Sequence, residues 1–160
     1  MQKVELIDKK DKEMTWQIFC EYQKEWAQFD ETVKFDKNET PIYLWFGEYW
    51  IDSGRWPFFL TIKNEIAGLC FIRKIEDEFS IAEFYIKPEY RKDNNALTFA
   101  NMVINLFDGK ITFSTTNKNL RALKFWQKFY NQFDCKKKTW VDETRTHWVL
   151  EKSQKNLACK

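Results

Sequence analysis

The chain has 160 residues, of which 44% are hydrophobic and 18% aromatic. That length supports one core of useful size, and that composition excludes a disordered chain. Twenty-six basic and 24 acidic residues leave a net charge of only +2, so a nucleic-acid partner would have to rely on a local patch.

No apolar run reaches signal-peptide or membrane-spanning length, so the sequence predicts no membrane association. The four cysteines (Cys20, Cys70, Cys135, Cys159) form no C-x-x-C pair, and His147 is the single histidine. This pattern argues against a metal site and for a reduced, cytoplasmic protein.

In chain order, Val4 to Ile7 reads as a short strand. A helix follows from Lys9, with Phe19, Tyr22, Trp26 and Phe29 at spacings of three and four. Asp30 to Thr40 is a polar loop, and Pro41 opens a second short helix that runs through Tyr49 and Trp50. Trp56 to Ile62 and Ile66 to Lys74 form a hairpin turning at Lys63-Asn64-Glu65. The second strand is apolar at nearly every position, as expected where both faces are covered.

Glu78 to Lys87 is the next strand. Period-two alternation places Ile81, Glu83 and Tyr85 on one face and Ala82, Phe84 and Ile86 on the other. Asn95 to Phe107 is apolar nearly all round, which predicts a buried helix. A strand from Lys110 to Ser114, an amphipathic helix from Leu120 to Asn131, and strands near Phe133 to Val141 and Thr144 to Glu151 complete a domain over residues 1 to 152. The tail from 153 to 160 is expected to fray. The order β-α-α-β-β-β-α-β-α-β-β predicts an α/β fold, a mixed sheet with helices on both faces.

The segment EFYIKPEYRKDNNA, Glu83 to Ala96, carries the most chemical information. A strand gives way to a cationic turn with Arg91 and Lys92, then to a helix start. Together these place backbone N–H groups and a helix dipole where a phosphate can bind. Glycine usually shapes such a turn, and this one has none.

Glu83 through Arg91 resembles the central motif of the GNAT N-acetyltransferases, in which a strand of the form L-Y-V-x-P-x-Y-R leads into an R/Q-x-x-G-x-G/A loop. Asn119-Leu120-Arg121-Ala122 with Phe125-Trp126 resembles the family's N-x-x-A-x-x-F-[YW] motif. The N-terminal half resembles, in layout, a bacterial subgroup of unassigned substrate. The resemblance implies the GNAT fold, acetyl-CoA as co-substrate, no metal, and direct transfer to a primary amine of a small molecule or protein. It also implies that Arg91, Lys92, Asn94, Asn95 and Ala96 cradle the pyrophosphate, that Phe84 and Ile86 lie along the pantetheine arm, and that Asn119 contacts that arm.

The pattern departs from the family at Asn94, where the loop has glycine. Asparagine tolerates the left-handed region at roughly 1–2 kcal/mol, which predicts about tenfold weaker cofactor binding. The family's usual acid is a tyrosine at the position of Trp126, which carries no phenol. Tyr130, one turn later, and Tyr85, beside Glu83, are the candidate acids. Glu83 is the candidate base, with a carboxyl raised by burial; its other reading is a structural ion pair. His147 reads as structural.

The acceptor side is expected among the aromatics from Trp26 to Trp56. Asp30, Glu31, Asp36 and Glu39 would add ionic contacts to an organic cation. The same aromatics suit a core or a homodimer interface. The loop departure and Trp126 support an alternative, a GNAT-fold module that binds CoA or a partner without catalysis.

Overall fold

A seven-stranded sheet organises the chain, with strand order β1-β2-β3-β4-β5-β7-β6. The computed structural model describes residues 1–153; residues 154–160, most of the tail expected to fray, lie outside the described part. The strands are β1 (Gln2–Leu6), β2 (Arg55–Ile62), β3 (Glu65–Ile75), β4 (Glu78–Ile86), β5 (Gly109–Thr116), β6 (Lys136–Val141) and β7 (Arg145–Lys152). The helices are α1 (Lys12–Trp26), α2 (Asn95–Ile104) and α3 (Leu120–Asn131). All neighbouring strands are antiparallel except β4 and β5.

The β2–β3 hairpin turns where expected. Lys63 and Asn64 both have positive φ, at 52° and 67°, the geometry that a two-residue hairpin needs to follow strand twist. One expected helix does not form. From Pro41 onward the chain runs through turns, and only Gly47–Trp50 makes a single 3-10 turn. The aromatics there pack on the sheet rather than following a helical period: Tyr49 and Phe46 are buried against Phe71.

Two cores lie on opposite faces of the sheet. On one face α2 and α3 cover Phe58, Leu60, Cys70, Ile72 and Ile81. On the other, α1 and the 41–50 segment cover Phe59, Leu69, Phe71 and Tyr85. Phe99, Val103 and Ile104 of α2 and Phe129 of α3 are fully buried, and burial of each large side chain contributes about 1.5–3 kcal/mol.

Two features of β4 position the site. First, its ladder to β5 covers only Glu78–Lys110, Phe79–Ile111 and Ser80–Thr112, although both strands continue. From Ile81 onward the two strands separate, leaving a cleft with one edge of β4 along its wall.

Second, the register to β3 shifts: Phe71 pairs with Glu83 while Ile72 pairs with Ile81. Ala82 is thus the extra residue of a bulge, and a bulge reverses side-chain parity. Uniform alternation put Ile81 with Glu83 and Tyr85. Instead Ile81 joins Ile86 in the α2/α3 core, while Glu83 and Tyr85 turn toward α1.

Candidate active site and cofactor groove

A groove of 420 Å³ opens in the cleft between β4, the start of α2 and the start of α3. Phe84, Tyr85, Ile86, Arg91, Lys92, Asn94, Asn95, Ala96 and Asn119 all line it. Tyr130 does not. It is buried one turn farther along α3, in the same core as Trp126, with the Lys137 ammonium 4.5 Å from its ring centroid, and it lines neither this groove nor the neighbouring cavity. The one-turn offset from Trp126 along the helix carries it past the site.

The loop reaches its shape without glycine. Asp93 and Asn94 both have positive φ, at 56° and 58°, and Asn94 sits at the α2 N-cap in the left-handed conformation. Among the described residues its side chain forms no capping hydrogen bond, so the first-turn N–H groups of Ala96 and Leu97 are left for another acceptor. Asn95 anchors the loop instead: its side chain donates to Tyr90 O at 3.1 Å and accepts from Gln2 Nε2 at 3.0 Å. Asn94 thus takes the left-handed backbone that glycine would otherwise supply. Whether the cost of that backbone, roughly 1–2 kcal/mol, reaches cofactor binding is read from the Asn94→Gly variant.

Arg91 is a brace rather than a free cation. Its Nε donates to Ile86 O at 2.8 Å and its Nη2 to Glu25 at 2.6 Å, and its guanidinium lies 5.7 Å from the Tyr85 ring centroid. Glu25, at the end of α1, also reaches Arg121 at 3.4 Å. Burial works against ionisation of Glu25. The hydrogen bond and charge of Arg91, with Arg121 adding to them, still hold its carboxyl below the usual carboxylate range. A carboxylate therefore sits between two arginines inside the groove. Asn119 caps α3, accepting from Ala122 N at 3.1 Å, and this capping contact holds it in the groove wall.

A second cavity, of 470 Å³, lies on the α1 side of β4. Glu83 lines it, and Tyr22 of α1 donates to Glu83 Oε2 at 3.3 Å. Burial pushes the Glu83 carboxyl up to about 8; the Tyr22 bond and Arg145 pull it down without overcoming burial, and Asp30 adds to the rise. The direction agrees with the expectation, and the polar groups that act on the carboxyl are Tyr22, Arg145 and Asp30. Tyr85, which lines the first groove, has its phenol raised to about 12, chiefly by burial and then by Glu25.

Tyr22, Trp26, Phe84 and Trp126 line both spaces. The groove and the cavity are thus joined through one aromatic collar. Trp126, where the family pattern has tyrosine, is part of that collar and is buried.

Sequence reasoning assigned no role to Tyr22 or Arg145. Tyr22 read as one aromatic in a helical stripe, and only the pairing of α1 with the bulged β4 gives its hydroxyl a partner. His147 bonds Asp142 at 2.7 Å and stacks on Trp140, outside both spaces, in keeping with a structural role.

Solved structures share this architecture. An acetyltransferase from Thermus thermophilus superposes with a TM-score of 0.71 at 14% identity, over 94% of this chain and 97% of that one. The chain has the GNAT acetyltransferase fold. The PaiA N-acetyltransferase from Thermoplasma acidophilum, solved in complex with coenzyme A, matches with a TM-score of 0.63 at 12% identity, covering 94% and 99%. The dodecameric spermidine N-acetyltransferase from Vibrio cholerae matches with a TM-score of 0.64 at 15% identity, covering 96% and 95%. No family model and no curated protein matches the chain. At such identities the GNAT likeness is one of fold, and activity has to be argued from the residues.

Proposed function

We propose that the chain is an N-acetyltransferase that uses acetyl-CoA as co-substrate and a primary amine as acceptor. The observation that carries this reading is the collar of Tyr22, Trp26, Phe84 and Trp126, which joins a loop-ended groove to the cavity of a carboxyl raised to about 8. The groove suits coenzyme A chemically. Its loop end offers open N–H groups, Lys92 and a helix N-terminus to phosphates, while Phe84, Ile86, Leu97 and Phe125 line an apolar path beside the β4 edge. A peptide-like arm can hydrogen-bond that edge as an added strand does. Acetyl-CoA supplies an activated acyl thioester when bound.

Glu83 takes the proton that the acceptor ammonium must lose before its nitrogen can attack. A carboxyl near 8 is matched to that task, because the best base titrates close to the working pH. Tyr22 holds Glu83 by its hydroxyl and lines the groove as well, so it is the phenol placed to protonate the departing thiolate. Tyr85 is the second donor on the groove wall. Transfer is direct, and no enzyme nucleophile is invoked.

Calorimetric titration with acetyl-CoA tests the groove. Micromolar binding is expected, with loss of affinity when Lys92 and Ala96 are replaced by Glu; absence of binding at millimolar concentration would overturn the enzyme reading. Binding without turnover on any amine would instead leave the non-catalytic CoA-binding module as the correct description.

A further inference from the structure

The charges lining the Glu83 cavity do not suit the organic cation expected from sequence. Asp30 is the carboxylate best placed for such a ligand, and it is already occupied. Its Oδ1 accepts the Thr32 N–H at 2.9 Å and hydroxyl at 2.6 Å, its Oδ2 accepts the Trp26 indole N–H at 3.1 Å, and Arg145 lies 3.7 Å away. Burial opposes its ionisation, but these hydrogen bonds and Arg145 hold its carboxyl below the usual range. Glu31 reaches instead to Lys118 at 3.4 Å, outside the cavity. Asp36 closes its own turn by accepting the Asn38 and Thr40 N–H groups, and neither Asp36 nor Glu39 lines the cavity.

Two cations do line it. Arg145 of β7 is held by Ser114, whose hydroxyl accepts from its Nε at 3.2 Å and its Nη2 at 3.0 Å. Its Nη1 lies 3.7 Å from Asp30 Oδ2, too long for a direct hydrogen bond, which leaves the outer Nη1 and Nη2 N–H groups on a side chain that is one-third exposed. A fixed, planar fork of this kind matches a carboxylate in geometry as well as charge. Lys34 lines the same space, and among the described residues its ammonium forms no hydrogen bond or ion pair. Trp26, Val33, Ile42, Tyr43, Leu44 and Trp45 supply apolar and aromatic walls, beside the polar Gln23 and Thr32.

We propose, building on the acetyltransferase reading, that the acceptor carries a primary amine and a carboxylate on one bulky apolar body, as a hydrophobic amino acid does. The amine lies at Glu83, the carboxylate on Arg145 and Lys34, and the apolar body against Tyr43 and Trp45. A polyamine would bring further ammonium groups to a cavity with no free carboxylate for them and two cations that repel them.

The test compares L-phenylalanine, phenethylamine and spermidine with the purified 160-residue chain, following thiol release from acetyl-CoA and confirming products by mass. L-Phenylalanine is expected to exceed phenethylamine at least tenfold in kcat/KM, with spermidine at background. Arg145→Gln should erase the preference for phenylalanine. Lys34→Ala, on an exposed loop, should raise the KM for phenylalanine several-fold and serves if Arg145→Gln fails to fold.

Preference for spermidine, or equal use of phenylalanine and phenethylamine, would overturn the assignment while leaving the acetyltransferase reading intact. Calorimetry of phenylalanine against phenethylamine, without acetyl-CoA, reads the cavity independently of catalysis. Equal or absent binding of the two there overturns the proposal even in a chain that proves inactive.

Discussion

Replacing Glu83 by Gln keeps the side-chain shape and an acceptor for the Tyr22 hydroxyl while removing the ionisation. In the folded protein the carboxyl titrates near 8, against an ordinary value of 4.5, with burial as the leading cause and Tyr22, Asp30 and Arg145 as the polar groups facing it. A gap of that size corresponds to at most about 5 kcal/mol, and solvent at the open cavity mouth should reduce it to about 2–3 kcal/mol. The sign follows from proton uptake. Between 4.5 and 8 the folded chain holds a proton that the unfolded chain releases, so the Glu83 contribution is complete at low pH and falls as pH rises to 8.

Urea unfolding of both proteins at pH 5, 6.5 and 8 measures this. The variant should gain on the wild type by about 2–3 kcal/mol across that range. In turnover, wild-type kcat/KM should rise toward a plateau above about pH 8, and the variant should lose that rise together with about 10²–10⁴ in rate. A stability gap that stays constant from pH 5 to 8 would refute the claim that Glu83 is protonated in the folded state. An unchanged pH–rate profile in the variant would refute its role as base.

Asn94→Gly should raise stability by up to about 1 kcal/mol, read by urea titration, and leave the acetyl-CoA Kd within about twofold, because glycine keeps the same left-handed loop. A large tightening would show instead that the loop rearranges on binding. Glu25→Gln should tighten acetyl-CoA about three- to tenfold by freeing Arg91 and Arg121 and removing a negative charge from the groove, at the expense of about 1 kcal/mol of stability; weaker binding would mean that the brace matters more than the repulsion. Lys152→Met should destabilise the fold by about 2–4 kcal/mol, since the buried ammonium donates to Ile104 O at 2.6 Å and Phe107 O at 2.7 Å and closes the end of α2. A Tm unchanged by that substitution would contradict the capping role.

Most strands and helices were legible because their patterns are local: α3 spans Leu120–Asn131 as its amphipathic stripe predicts. The positive φ at Asn94 was also readable, since few other residues occupy that conformation without glycine. The bulge at Ala82 was not, because it is a property of β4 against β3, and period-two counting along one strand has no means of detecting it. It decides which face Glu83 occupies. Pro41 to Trp50 misled for a related reason: its aromatics answer to Phe71 on the sheet below. The Glu25–Arg91–Arg121 cluster joins residues 66 and 96 positions apart, a separation over which charge patterning is silent.

The three-pair ladder between β4 and β5 makes the sheet mechanically two plates joined along a short seam. One plate is β1 to β4 and the other is β5, β7 and β6. Past Ser80 and Thr112 the link runs through side chains of the covering segments instead of a backbone ladder: Phe84 of β4 stacks on Phe125 of α3, and Arg145 of β7 pairs with Asp30 beyond α1. A molecule seated in the Glu83 cavity touches both plates, through Glu83 on one and Ser114 and Arg145 on the other, and becomes a further rivet between them. Amide exchange in the outer half of β4 should therefore slow on ligation more than exchange at the seam, so that the fold itself reports occupancy.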